Sequence, residues 1–409
     1  MKTQRLNSVK LGLVLLFVFI GTTPAFSQSN LDLYGYFSTR YEKVFGEPSL
    51  ENGAIVREDA PGEWSNPFLN VMLQHQLGDK FRVFVNLNGA GGEVAVRNFW
   101  GEYAIAPYFR VRIGRIYRKF GLYNELLDAV PTYYGIEPPE LFDKDHLIVS
   151  RTSTVMVYGT FNAGPGQVEY SLATDNGEGG PMEGVIPVGW DLKYRKGFAY
   201  TLGFSGYTSG GETTSDVGVG SGSPRTGVLP WMAGDKFSVI GAYGEAILGS
   251  VTLQGAFWYS NHNAERDPAS VLAVIEGADP NAAQLRRFLH NVDEPFTADN
   301  VNIDGDYSVK TWYLRAGYSF ITEVGEVAPY VQWDWYNNPE TVGSKKWGGD
   351  NEAGVADDGI FNKATLGVVF RPIPNVAVKL DGSSHIYKLG GDTVQYPELR
   401  FDVSYVFGQ

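Results

Sequence analysis

The chain has 409 residues, a formal charge of −13, 19% charged side chains and 14% aromatic ones. The 24 Tyr, 24 Phe and 50 Gly, with no long apolar run after the N-terminus, favour many strands over helices. The absence of cysteine excludes disulfides, thiolate metal sites and a cysteine nucleophile. The negative balance excludes nucleic-acid binding through a general basic field.

In chain order, the first element is a leader. Lys2, Arg5 and Lys10 precede an apolar run from Leu11 to Ile20, and Ala25-Phe26-Ser27 follows with small residues at both ends. This reads as a secretory signal over residues 1–27, cut after Ser27. The run is too short for a helix across ~30 Å of hydrocarbon, which needs ~20 residues. Gln28 in place of Cys excludes a lipoprotein anchor. Losing the three leader cations leaves 30 basic and 46 acidic side chains, a charge of −16 over residues 28–409.

The rest of the chain alternates with period two, the strand signal. Phe81, Val83, Val85 and Leu87 alternate with Arg82, Phe84 and Asn86. Leu399, Phe401, Val403, Tyr405 and Phe407 alternate with Arg400, Asp402, Ser404 and Val406. Sixteen segments read this way: 31–41, 68–77, 81–88, 96–105, 109–117, 154–161, 167–174, 188–195, 198–206, 236–246, 251–260, 307–320, 327–336, 361–370, 376–386 and 396–407. Most approach the ~9–11 residues of a tilted membrane-crossing strand. Short connections such as Gly78-Asp79-Lys80 and Ala106-Pro107-Tyr108 alternate with long polar ones, 42–67, 118–153, 175–187, 207–235, 261–306 and 337–360; the exceptions are 89–95 and 387–395. Aromatics cluster at segment ends, as at Trp333 and Trp335. The expectation is an all-β fold: a closed antiparallel transmembrane β-barrel of about 16 strands in a Gram-negative outer membrane, with short periplasmic turns and long outer loops.

If the apolar parity faces lipid, the lumen receives Arg40, Arg82, Arg110, Arg112, Lys193, Arg315, Lys379 and Arg400, with Asp32, Glu102, Glu169, Asp191, Asp334, Asp381 and Asp402. So many ions imply a hydrated wall. Arg115 breaks parity, and a bulge at Gly114 is expected to turn it inward. Arg118 and Lys119 follow. The pore-lining candidates are therefore Arg40, Arg82, Arg110, Arg112, Arg115, Arg118 and Lys119, either an anion-attracting ladder or arginines neutralised by neighbouring carboxylates. The connection 118–153 holds too many apolar residues and prolines for a floppy external loop. It is expected to fold into the lumen, with Glu125, Asp128, Glu140, Asp143 and Asp145 facing the arginines across a constriction.

Other features carry less. His75, His146, His262, His290 and His385 lie far apart without metal-ligand spacing, and no cofactor or metal is expected. Asp350, Glu352, Asp357 and Asp358 are candidates for divalent cations bridging lipid phosphates. Asn281 to His290 reads as a short amphipathic helix. No Ser–His pair poised for catalysis is legible, so no enzyme activity is expected.

Arg112-Ile113-Gly114-Arg115 through Lys119-Phe120-Gly121-Leu122-Tyr123-Asn124-Glu125 resembles the segment before the third loop of phosphate-selective outer-membrane porins. Leu33-Tyr34-Gly35-Tyr36-Phe37 resembles their first strand, and Pro329 to Asp334 and Arg371 to Val376 resemble their late strands and last turn. The resemblance implies a sixteen-stranded, water-filled homotrimer in contact with lipid and lipopolysaccharide. Phe407 followed by Gly408-Gln409 departs from the terminal aromatic common in such barrels. The expected function is passive diffusion of small polar or ionic solutes, with an anion preference. The alternatives are a substrate-specific anion (phosphate-like) channel and a structural or adhesive barrel without transport.

Overall fold

The computed structural model describes residues 31–126, 133–140, 151–175, 186–209, 229, 231–278, 280–345 and 351–408; the leader 1–27 lies outside them. Sixteen strands follow in order: β1 (Leu31–Val44), β2 (Phe68–Leu77), β3 (Phe81–Ala90), β4 (Glu93–Ala106), β5 (Phe109–Tyr117), β6 (Arg151–Ala163), β7 (Gly166–Asp175), β8 (Val188–Lys196), β9 (Tyr200–Thr208), β10 (Met232–Leu248), β11 (Val251–Arg266), β12 (Tyr307–Tyr318), β13 (Gly325–Asn337), β14 (Ile360–Ile373), β15 (Val376–Leu389) and β16 (Asp392–Gly408). Two short pieces prolong them: Glu63–Trp64 extends the pairing of β2 with β1, and Phe320–Thr322 extends β12 against β13. Each strand pairs antiparallel with its sequence neighbours. β1 also pairs with β16, from Tyr34↔Gly408 to Val44↔Glu398, and closes the ring.

The period-two pattern sets which face each residue takes. In β16, Leu399 and Tyr405 are exposed while Asp402 and Ser404 are fully buried. The same outer belt continues through Leu314, Val331, Trp333 and Leu366, all exposed. Leu314 pairs with Trp333, and Val331 with Leu366, so the ladder keeps apolar rungs on one face. An apolar belt outside and ions inside is the reverse of a water-soluble sheet packed on an apolar core.

One end of the barrel carries turns of a few residues and the other the long connections. Two exceptions at the long-loop end are tight turns. Gly91-Gly92 has φ of 58° and 84°, and Gly390-Gly391 has 62° and 89°. Two-residue hairpin turns of this kind need positive φ at both positions, which glycine supplies without steric cost. The first long connection folds into a hairpin, Glu47–Glu51 against Ala54–Glu58.

β10 and β11 run further than the sequence pattern indicated, to 17 and 16 residues. Beyond them sit α1 (Pro268–Ala278) and α2 (Ala282–Phe288). α2 matches the expected short helix. Its start is a capping box: the Asn281 side chain accepts from Ala283 N and Gln284 N, and Gln284 Oε1 accepts from Asn281 N. α1 was not anticipated. It buries Val271, Val274 and Ile275 at i, i+3, i+4 spacing in one cluster with Trp231, Phe288 and Leu289.

Leu366 lies midway along β14 on the outer belt. Leu366→Arg is expected to destabilise the inserted barrel by about 2–4 kcal/mol, the cost of a guanidinium at the bilayer midplane. Reversible denaturant unfolding in lipid vesicles checks this. A change below about 0.5 kcal/mol, the size of an ordinary surface substitution, would contradict the assigned face.

Candidate functional site

Three neighbouring strands bring three arginines onto one carboxylate. In the ladder Arg82 pairs with Glu102, and Glu102 with Arg112. Glu102 is buried. It accepts from Arg82 Nη2 at 2.7 Å and from Arg112 Nε and Nη2 at 2.9 and 2.7 Å. Tyr158 also donates to it. Arg110 Nη1 stands 3.9 Å away. Arg112 lies 3.9 Å above the Trp100 ring and 4.9 Å from that of Tyr158, so its plane is fixed. The cluster carries a local charge of about +2, because arginine does not lose its proton. The side chains of Arg82 and Arg110 keep 25% and 36% of their surface open.

The next residues depart from expectation. Gly114 pairs directly with Trp100, and the nearby register shift falls between Ala104 and Ala106. A Cβ at Gly114, with φ of +143°, would sit 2.3 Å from the Phe99 carbonyl oxygen. Glycine therefore allows close strand approach here, and no bulge rotates the chain. Arg115 pairs with Phe99, an exposed residue of the outer face, and is itself exposed. It is not a lumen residue. Its place near the end of β5 lets the long side chain reach polar surroundings. Arg118 is buried, 2.7 Å from Asp175 and 4.3 Å over the Tyr207 ring. Lys119 reaches Glu125 at 3.0 Å. Burial pushes the Glu125 carboxyl up, but Lys119 and Lys193 outweigh it and hold it below the ordinary value.

Residues 118–126 and 133–140 of the third long connection bond to inward-facing side chains on the far wall. Gly121 N donates to Ser205 Oγ at 3.0 Å, and Tyr123 Oη to Gln254 Oε1 at 2.6 Å. Lys379 Nζ donates to the carbonyls of Tyr133 and Gly135 at 2.8 and 2.7 Å. Asp381 and Asp334 accept from the amides of Ile136 and Glu140. Glu140 meets Lys363 at 2.7 Å, a lysine rather than an arginine, and Glu125 meets Lys119 of its own segment. Glu137, outside the expected constriction set, binds Arg40 at 2.8 Å, Lys363 at 3.4 Å and Arg400. In the sequence Glu137 is one acid among several between residues 118 and 153. Its partners lie up to 263 residues away, and no local pattern selects them. Asp128, Asp143 and Asp145 lie outside the described residues.

This packing divides the wall. Arg315, Asp334, Lys363, Lys379 and Asp402, on β12 to β16, are buried, as are Asp191 and Lys193 on β8, rather than open to the lumen as expected. Arg40, Arg82, Arg110 and Arg112, on β1 to β5, keep partial access.

Four further arrangements correct the sequence reading. Glu352 is buried between His385 and Lys345, and Asp357 accepts from Gly390 N, Gly391 N and Asn281 Nδ2. Asp358 pairs with Lys388. These acids serve loop packing, not free cation binding; Asp350 lies outside the described residues. Ser260, His262 and Asp235 do form a Ser–His–acid relay: Oγ to Nε2 is 2.7 Å and Nδ1 to Oδ2 is 2.9 Å. The sequence hid it because Asp235 is contributed by the neighbouring strand. Ser260 is fully buried, and the imidazole is stacked by Phe237 at 4.8 Å and Tyr307 at 4.0 Å.

The sequence matches no protein-family model and no curated protein. Solved structures share its architecture. The anion-selective porin from Comamonas acidovorans aligns with 93% of this chain and 100% of its own, at TM-score 0.55 and 13% identity. The outer membrane channel DcaP of Acinetobacter baumannii aligns with 94% and 99%, at TM-score 0.55 and 7% identity. OmpT of Vibrio cholerae in its trimer form aligns with 93% and 100%, at TM-score 0.51 and 10% identity. The fold is that of the sixteen-stranded outer-membrane porins.

Two outcomes are expected. Glu137→Gln removes the carboxylate shared by Arg40, Lys363 and Arg400; Lys363 keeps Glu140, Arg400 keeps Glu398 and Arg40 keeps the Ile136 carbonyl. Open-channel current noise in planar bilayers should rise about two-fold, since the carboxylate that ties the loop to three strands is lost while each strand cation keeps another acceptor; quiet traces at unchanged conductance would contradict this anchor. The Lys119–Glu125 tie holds the carboxyl below its ordinary value, so its contribution is full above about pH 4.5 and is lost as pH falls below that. Lys119 is raised, its burial outweighed by Glu125, which extends the tie upward in pH. Protease protection of this segment should therefore be flat from about pH 5 to 9 and fall in acid; a loss near neutrality would contradict the pairing.

Proposed function

We propose that this chain is an outer-membrane porin: a water-filled channel for passive diffusion of small polar or ionic solutes, with a preference for anions and no enzymatic activity. The observation that carries the reading is the cluster of Arg82, Arg110 and Arg112 around the single acid Glu102 on the accessible side of the lumen. The loop 118–153 acts as the constriction element, since its described parts narrow the ring from the opposite wall. Fixed guanidinium charge in a narrow, partly low-dielectric passage attracts anions more strongly than in open water. The chain's net negative charge opposes this weakly, because loop carboxylates are screened beyond ~8–10 Å.

The forked donors of Arg82 and Arg110 suit phosphate and carboxylate oxygens. Phosphate is the anion suggested by the resemblance of residues 112–125. The trimer form of the similar Vibrio protein supports a homotrimer. The absence of enzymatic activity is supported by the burial of Ser260, which no substrate reaches in this conformation.

Arg110→Glu with Arg112→Glu is expected to move the zero-current potential in a salt gradient toward cations, with a smaller change in mean conductance. An unchanged reversal potential, with the barrel still inserted, would overturn the assignment of these arginines to ion preference.

A further inference from the structure

A continuous ion chain links the long-loop end of the barrel to the segment inside it. It starts at Glu47 in the first hairpin. Lys345 Nζ lies 2.5 Å from Glu47 and 3.0 Å from Glu352. Glu352 faces His385 Nδ1 at 3.1 Å, and His385 Nε2 faces Glu398 at 3.0 Å. Glu398 meets Arg400 at 2.7 Å. Arg400 pairs with Glu137, which also holds Arg40 and Lys363.

His385 is the link in this chain whose ordinary titration falls between about pH 5 and 8. Both of its nitrogens face carboxylate oxygens, which only accept. Two such contacts need two N–H groups and hence the charged ring. A neutral imidazole has one N–H, and its second contact becomes lone pair against lone pair. The surroundings allow no easy escape. Tyr396 stacks on the ring at 4.6 Å and Phe361 lies at 5.6 Å. Glu352 and Glu398 are buried beside it. The other charges facing the cluster are Lys345, Lys363 and Arg400 on the positive side and Glu47 and Glu137 on the negative, and the Tyr396 hydroxyl donates to Glu352.

Glu352 belongs to the connection between β13 and β14, and its neighbours Asn351, Ala353 and Ala356 are also buried. Burial pushes the Glu352 carboxyl up, but His385 and Lys345 outweigh it and hold it well below the ordinary value. Mild acid therefore does not break this contact. Loss of the imidazole proton does.

We propose that His385 is a proton-operated latch: when charged it holds the 351–356 segment against the lumen face of β14 to β16, and when neutral it releases that segment. Docking holds at neutral and acid pH and fails as pH rises past the point where the ring gives up its proton.

The chain contains no cysteine, and Ala353 is fully buried, so Ala353→Cys introduces a single reporter thiol. The full chain carrying it is reconstituted in liposomes and treated with a water-soluble maleimide from about pH 6 to about pH 9.5, a range that brackets imidazole titration. Thiolate formation alone raises labelling with pH. The reference is therefore the same reporter in a His385→Lys background, where the positive charge persists. The labelling-rate ratio of the His385 chain to this reference is expected to rise about ten-fold across the range, the equivalent of about 1.4 kcal/mol. Glu398→Gln provides a second comparison. An amide can donate to a neutral imidazole while the ring donates to Glu352, so this variant should stay docked at alkaline pH. A flat ratio, or an undiminished alkaline rise in Glu398→Gln, overturns the proposal. If His385→Lys does not insert, the Glu398→Gln comparison decides alone.

Discussion

The structure depends on one constraint: inside lipid, no water satisfies an unpaired backbone N–H or C=O. A sheet survives there only if its first and last strands meet. Here β1 meets β16 along eleven paired positions, from Tyr34 to Val44. Once that seam is closed, the face taken by every side chain follows from strand parity. Leu399 and Tyr405 turn out and Asp402 and Ser404 turn in because the period is two, not because each residue seeks its own environment.

A ring of sixteen strands is too wide for its own side chains to fill. The third long connection occupies part of that space, and its mode of attachment is polar. Lys379 is fully buried yet bonded to the carbonyls of Tyr133 and Gly135. Arg315, also buried, bonds to Gln332 Oε1 at 2.7 Å and to Tyr123. Each desolvated cation has a designated acceptor, so the loop has one well-paired position. Any displaced position strands charges away from water. Rigidity at the centre of the lumen follows from that cost.

Beyond the β1–β16 seam, strands β3 to β5 use the same residue types differently. Arg82, Arg110 and Arg112 share one carboxylate and keep access to solvent, so their charge is only partly cancelled. Across β14 to β16 and onto β1 runs the chain of ion pairs through His385 and Glu137. It gives outer connections and the inner segment a shared set of partners.

The sequence by itself determined the number of strands, their order, the turn ends and the face of nearly every wall residue. Those properties are local, carried by alternation and by turn residues within a few positions. It also marked 118–153 as unusual and Arg82, Arg110 and Arg112 as sharing a face. Only the tertiary structure decided the pairings across the lumen. Glu137 with Arg400, Lys379 with Tyr133, and His385 between Glu352 and Glu398 join residues far apart along the chain, through a register that closure imposes. It also overruled the inward turn of Arg115, because Gly114 serves close approach to Phe99 and Trp100 rather than a bulge. And it buried lumen-facing ions on β12 to β16. Whether a lumen-facing ion is wet depends on what else enters the ring, which strand parity alone does not encode.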